Sequence, residues 1–293
     1  MIWPKSLNKQ IETKVKLARL MSFKVGGPAE FFLEAADIAG LKEALVWARR
    51  KKVPVFILGA GSNILASSSG LNGLVIKLGG EFFKHVYRDG EYLEAGAGIH
   101  LNQLMLYTKN NALSGLEFLA GIPGTLGGAL AGNAGAWGKS VGELAEEVRV
   151  LDYRGNPELL SAKDLKFSYR KSNLNKYVII SARLKLCPGN KNTIGSRIKK
   201  YLLQRNKTQG SKLPNAGCIF KNPAKLSAGK LIDACGLKGS SKGRAIISGV
   251  HANFILNKGN ADSNDILLLM DLMRKKVKER FKINLEPEIK IWR

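Results

Sequence analysis

The sequence predicts an α+β chain in two parts, and three observations lead there. Short apolar, strand-like runs are interleaved with segments of helical period. Two glycine-rich stretches, 59–63 and 120–138, carry almost no charge and interrupt that pattern. A Pro-Gly-Asn-Lys-Asn run at 188–192 marks a boundary. With 293 residues, 45% of them hydrophobic, the chain is long enough for two domains with real cores.

In chain order, residues 1–18 read as a short amphipathic lead-in, and 19–25 as a strand-like segment closed by a Gly26-Gly27-Pro28 turn. Phe31–Leu33 continues as a buried strand. Asp37 caps a helix running to about Lys51, with Leu41, Leu45 and Ala48 on one face and Arg49–Lys52 at the end where positive charge suits the dipole. Val53–Leu58 is a short apolar strand leading into Gly59-Ala60-Gly61-Ser62-Asn63. A glycine turn after a strand is where α/β proteins bind phosphates. Here, however, no third glycine follows at the Rossmann spacing, and no Lys-Ser/Thr as in a P-loop. Leu74–Leu78, Phe82–Tyr87 and Tyr92–Ala95 read as strands, and Leu101–Asn110 as a helix.

The stretch 120–138 is too rich in glycine for an ordinary core element. Ile122, Leu126, Leu130 and Trp137 are too bulky for a flexible linker. Pro123 suits the first position of a helical turn, and Gly127 and Gly128 leave the following surface bare. Two readings fit: free N–H groups offered to a phosphate, or a tightly packed helix corner with glycines for close contact. Beyond it, Val148–Tyr153 and Tyr177–Leu186 alternate as strands, with an aperiodic polar piece, Phe167–Ser172, between them. A basic helix runs to about Lys207. Leu213–Pro223 forms another glycine-and-proline loop. Ser227–Cys235 is a helix stopped by Gly236. Ser263–Phe281 is the clearest helix, with Ile266, Met270, Met273, Val277 and Phe281 on one face. Leu285–Trp292 closes the chain as a strand with Glu286 and Glu288 on one side.

The formal net charge of +24 raises the possibility of a nucleic-acid binder, but the basic residues are scattered and no aromatic or zinc-finger pattern accompanies them. A basic surface that draws in anionic small molecules fits as well. Three cysteines without a CxxC indicate neither a disulfide framework nor a zinc site, and point to a reducing cytoplasm. No apolar run approaches the roughly 20 residues that span a bilayer, and the N-terminus has no signal-like apolar region.

Seven motifs occur in order: SFKVGGPA after Arg19, GAGSNIL, GIPGTLGGALAGNAGAWG, SYRKS, AGCIFKNP, HANFILN and LEPEIKIW. From about Arg19 to Trp292 the chain resembles the UDP-N-acetylenolpyruvoylglucosamine reductases, flavoenzymes of peptidoglycan precursor synthesis. The resemblance implies an FAD-binding part of the vanillyl-alcohol-oxidase type over 19–188, in two subdomains of about 19–75 and 76–188. A C-terminal α+β substrate domain follows over 189–293. It implies FAD as cofactor, NADPH as the reducing co-substrate, and one pocket used by both substrates in turn. It further implies a cytoplasmic monomer with no nucleic-acid or membrane partner and no metal.

By the same resemblance, Gly59, Ala60, Gly61, Ser62, Asn63 and Ile64 form one half of a diphosphate clamp. Gly121, Ile122, Pro123, Gly124, Gly127, Gly128, Asn133, Gly135 and Ala136 form the other. The glycines are expected to let the backbone approach the diphosphate, and Ser62, Asn63 and Asn133 to add side-chain bonds. Arg170 matches the family's catalytic arginine, beside the substrate carboxylate. Glu288 matches its catalytic glutamate, with Glu286 as a structural neighbour. Cys218 stands where many members carry the proton-donating serine; a thiol is the stronger acid. Tyr169, Lys221 and Asn222 are expected to hold substrate. Taken alone, Arg170 reads as a surface ion-pair partner, Glu288 as a solvated edge carboxylate and Cys218 as an inert buried thiol. His251 is expected to pack rather than to act as an acid or base, and His85 and His100 to be structural. The short gap between Arg170 and Tyr177 leaves no room for the inserted tyrosine segment of one branch, so the chain resembles the shorter, type II branch. The competing expectation is another FAD-dependent oxidoreductase on the same scaffold.

Overall fold

Caps and stop residues set the helix boundaries in the computed structural model, which describes residues 7, 10–224 and 226–293. Among these are six α-helices: α1 (Ile38–Arg50), α2 (Leu101–Asn110), α3 (Leu126–Ala131), α4 (Lys191–Gln209), α5 (Ala228–Ala234) and α6 (Ser263–Phe281). Asp37 Oδ1 accepts from the Gly40 N–H at 2.8 Å to start α1. Thr125 and Ser227 cap α3 and α5 through the N–H groups three residues on. Gly236, at φ +70°, stops α5, and α6 ends on Lys282 at φ +59°.

Several local expectations are corrected. Residues 1–6, 8 and 9 of the expected lead-in lie outside the described residues; Ile11–Lys16 is a strand and Leu17–Arg19 a 3-10 turn. The expected strand at 19–25 is turns, and the strand begins at Pro28. Phe82–Lys84 lies in a 3-10 turn, because Gly80 lets the chain close there before the strand Val86–Asp89. Pro123 precedes the cap of α3 rather than opening the helix, since Thr125 supplies the side-chain acceptor that proline lacks. Phe167–Ser172 is a β-hairpin. Of Leu285–Trp292, Lys290–Trp292 is regular strand.

The chain forms two compact units, each discontinuous in sequence. The first comprises 1–13, 31–60 and 73–204. Its main sheet is antiparallel, in the order Pro157–Ser161, Ala145–Leu151, Val178–Lys185, Tyr92–Gly96, Val86–Asp89. The strand Val55–Leu58 runs parallel to Leu74–Lys77 in a further sheet. The core joins α1 residues Leu41, Leu45 and Trp47 with Leu126 and Leu130 of α3 and Val178–Ile180 of the central strand.

Within this unit Glu117 is a buried carboxylate. Burial pushes its pKa up, but the Ser114 hydroxyl, its own and the Gly115 backbone N–H, and the Arg197 guanidinium outweigh that and hold it below the ordinary 4.5. A depressed folded pKa gives stability that is complete above the unfolded value and is lost as pH falls through the folded one. Glu117→Gln should therefore lower stability at neutral pH by about 1–2 kcal/mol. The deficit against wild type should close at acid pH, as read by denaturant melts across pH; a pH-independent deficit would contradict this.

The second unit comprises 14–30, 61–72 and 205–293. One face of α6 supplies Ile266, Leu269, Met270, Met273 and Val277 to a core shared with Leu231 and Ile232 of α5 and with Ile219, Phe220 and Ile255. A three-stranded antiparallel sheet, Ser241–Lys242, Ala245–Ile247 and Ile255–Asn257, packs against α6. The closing strand Lys290–Trp292 pairs in parallel with Ile64–Ala66.

Candidate active site

Inside the first unit, Gly59 lies against the start of α3. Gly59 follows the strand Val55–Leu58, and a Cβ built on it would lie 2.7 Å from Oγ1 of Thr125, the cap of α3. The Gly59 backbone is therefore packed against the cap side chain of α3. Gly127 is held by a 2.9 Å bond from its N–H to the Ala97 carbonyl, and its added Cβ would meet the Ala97 Cβ at 2.9 Å. In the second unit, Gly61 has φ +65°, and a Cβ there would fall 2.2 Å from the Leu20 carbonyl. Protein packing by itself already demands these glycines. At Gly128, by contrast, a Cβ meets only Thr125 Oγ1, at 3.4 Å. Gly121, Pro123 and Gly128 are exposed, and Ala60 and Gly124 half-buried, so this surface is bare backbone nearly free of side chains. That suits a dinucleotide diphosphate, which the residues present fit. Gly127→Val should overpack the Ala97 contact by about 1–3 kcal/mol. The variant is expected to purify with less flavin per protein than wild type; full flavin content would remove Gly127 from the site's support.

The rest of the 120–138 stretch positions Arg170. Phe167–Ser168 pairs with Lys171–Ser172, leaving Tyr169 and Arg170 as a two-residue hairpin loop. Arg170 takes φ +54°, a conformation such loops require and that usually selects Gly or Asn. Its guanidinium Nη1 donates to the Gly135 carbonyl at 3.0 Å. The hairpin is clasped from below: Ser172 Oγ donates to the Ala131 carbonyl and Asn133 Nδ2 to the Ser168 carbonyl, both at 2.9 Å. Asn133 Oδ1 accepts from the Gly142 N–H. The Asn133 side chain is buried and engaged at both ends in holding this hairpin. Gly135 and Ala136 form a small hairpin with Lys139–Ser140, and a Cβ on Gly135 would strike the Lys139 carbonyl.

In the second unit, the segment that follows Cys218 pairs by its backbone with the segment that ends at Glu288. The Glu288 N–H donates to the Ile219 carbonyl at 2.8 Å, and the Lys221 N–H to the Glu286 carbonyl at 2.9 Å, around a Phe220–Pro287 bridge. Cys218 and Glu288 are both half-buried. Lys221 forms an ion pair with Glu286 at 3.3 Å, and Asn222 Oδ1 accepts the first N–H of α5. The loop 61–63 joins the same frame: Asn63 Nδ2 donates to the Glu288 carbonyl at 3.2 Å, and its carbonyl accepts from the Lys290 N–H at 2.9 Å. His251 packs on the Phe254 ring at 4.7 Å. Burial, with the Lys238 charge adding to it, pushes its pKa below 6.5, so the imidazole is neutral at pH 7. Among the described residues no three His, Cys, Asp or Glu are grouped to hold a metal.

The family of FAD binding domains matches residues 29–159, and that of the UDP-N-acetylenolpyruvoylglucosamine reductase C-terminal domain matches 208–292. A UDP-N-acetylenolpyruvoylglucosamine reductase of Gloeobacter violaceus is 40% identical over 288 residues, covering 97% of each chain. One from Synechococcus is 42% identical over 295 residues, covering 97% of this chain and 92% of the other. The chain belongs to the UDP-N-acetylenolpyruvoylglucosamine reductase family. The crystal structure of the Thermus caldophilus reductase of this family has a TM-score of 0.83 at 36% identity, covering 97% of this chain and 99% of that one. The expected fold class holds: an α+β FAD-binding part of the vanillyl-alcohol-oxidase type, followed by the C-terminal domain of the reductase family. Sequence reasoning passed over Asn253. Its neighbour His251 drew attention as a titratable residue, while a single asparagine before an apolar strand carries no periodic signal.

Proposed function

We propose that the protein reduces UDP-N-acetylglucosamine enolpyruvate to UDP-N-acetylmuramate in peptidoglycan precursor synthesis, with NADPH as the reductant and FAD as the carrier. The observation that carries this is the pairing of Ile219–Lys221 with Glu286–Glu288 in the segment matched by the reductase C-terminal domain. It ties the segment next to Cys218 to the segment that carries Glu288, which supports reading both as parts of one site. Residues 19–188 hold the flavin in this reading and 189–293 the substrate, in a cytoplasmic monomer without nucleic-acid or membrane partners. No helix among the described residues is long and apolar enough to cross a membrane.

Held by the glycine loops and reduced by NADPH, FAD would supply the hydride for the terminal carbon of the enolpyruvyl double bond. The protein's task is the charge and the proton. Arg170 faces the substrate carboxylate with a fixed positive charge and stabilises the enolate as it develops. Glu288 assists the same intermediate. The Cys218 thiol gives its proton to the carbon beside the carboxylate, leaving a thiolate that solvent reprotonates. Tyr169, Lys221 and Asn222 hold the substrate. The glycine loops 59–63 and 121–128 hold the diphosphate of the cofactor. The purified protein should be yellow and should oxidise NADPH beyond one equivalent per flavin only when the enolpyruvyl substrate is present. NADPH oxidation that ignores this substrate would overturn the reading in favour of another flavin oxidoreductase on the scaffold.

A further inference from the structure

The segment 218–221 has a partner on each side. On one side it pairs with Glu286–Glu288. On the other, no full strand is needed, because one side chain takes its place. Asn253 is 1% exposed. Its Oδ1 accepts from the Phe220 N–H at 3.0 Å, and its Nδ2 donates to the Phe220 carbonyl at 2.7 Å. Its own carbonyl accepts from the Ile219 N–H at 2.9 Å. A primary amide thus pairs with both backbone groups of one residue, as a neighbouring strand would, and its backbone adds a third bond one residue along. Buried polar groups cost heavily when left unpaired, so this register admits no slip.

We propose that Asn253 is a positioning residue for the second half-reaction. It fixes Cys218 by holding the next two residues from one side, and it reaches Glu288 through the Ile219–Phe220 peptide, whose N–H donates to the Asn253 side chain and whose carbonyl accepts from the Glu288 N–H. Nothing in the substrate needs to touch it. The sequence puts it on the loop that enters the strand Ile255–Asn257, which is anchored in the α6 sheet. The Cys218 loop therefore takes its geometry from the core of its unit and not from solvent-exposed turns. This rests on the reading of Cys218 and Glu288 as the reacting groups.

The test uses the holoenzyme and separates the two half-reactions. In Asn253→Ala and Asn253→Asp, NADPH should bleach the flavin at the wild-type rate and with an unchanged KM for NADPH. Reoxidation by the enolpyruvyl substrate should slow by about 100-fold, the scale of a catalytic group displaced by an ångström. The rate of Cys218 alkylation by iodoacetamide, read by peptide mass spectrometry, should change at least severalfold in both variants. A substitution that merely lowered stability would shift the melting temperature and leave alkylation of the folded protein as it was. The wild-type protein offers a measurement that needs no variant: the Phe220 amide should be among the slowest to exchange hydrogen outside α6. Wild-type reoxidation and alkylation in either variant, or fast exchange at Phe220, overturns the proposal. A fully active Cys218→Ala enzyme instead overturns the reading of Cys218, while leaving the Asn253 alkylation result to be judged by itself.

Discussion

Cys218→Ala should reduce its flavin with NADPH at the wild-type rate and then stall. The expected loss is in reoxidation by the enolpyruvyl substrate, by about 10²–10⁴-fold, the usual contribution of a positioned acid. Stopped-flow observation of the flavin absorbance separates the two steps. Cys218→Ser should retain part of the activity, since a hydroxyl can give a proton but is a weaker acid than a thiol with an ordinary pKa near ~8.5. The same contrast makes the wild-type enzyme, but not the serine variant, sensitive to alkylation at this position. Of the three cysteines, Cys187 is exposed and Cys235 half-buried, so the iodoacetamide experiment must identify the modified peptide. An active Cys218→Ala protein would remove the thiol from the mechanism. Loss of both half-reactions together would point to damage to the cofactor site instead.

The second large effect is expected at Arg170, where stability and activity should part. Arg170 sits at φ +54° in a two-residue loop, a conformation that costs a non-glycine residue on the order of 1 kcal/mol. Glycine relieves that strain. Arg170→Gly loses the part-buried hydrogen bond to the Gly135 carbonyl and the contact with the Tyr169 ring, which the relieved strain offsets, and should melt at about the wild-type temperature. Its substrate reduction should fall by about 10²–10³-fold or more, the scale for removing a fixed transition-state donor. Arg170→Lys keeps the charge without the planar fork and should fall between the two. Near-wild-type turnover by Arg170→Gly would end the assignment. A collapse of the melting temperature would show that the arginine belongs to the scaffold instead.

How much of this was legible in the sequence depends on where each signal comes from. The helices α1, α2 and α6 were visible because their buried faces repeat at the helical spacing, and in α1 the cap Asp37 agrees with that period. The three-stranded sheet was missed because its strands are two or three residues long, too short to show alternation. The hairpin under Arg170 was missed for a related reason. Its two-residue loop is Tyr169-Arg170, without the glycine or asparagine that normally betrays such a turn. Its shape comes from Asn133, Ser172 and Phe167 packed on a distant part of the chain. Asn133 was placed at the cofactor for its position in a motif, and only its burial and two bonds show what its amide does. The pairing of Ile219–Lys221 with Glu286–Glu288 joins segments far apart in the chain, beyond any local pattern.

The inward-pointing glycines have a consequence for how the holoenzyme comes into being. The missing side chains of Gly59, Gly61, Gly127 and Gly135 would strike Thr125, Leu20, Ala97 and Lys139, all parts of the protein itself. The loops are thus shaped by the polypeptide, like a mould that sets before anything is poured. An apoprotein stripped of its flavin should keep that shape and take the cofactor back without refolding. Retention of FAD then reflects the intrinsic rigidity of the fold, and substitutions that loosen the loops from behind will appear as cofactor loss although they never touch the cofactor.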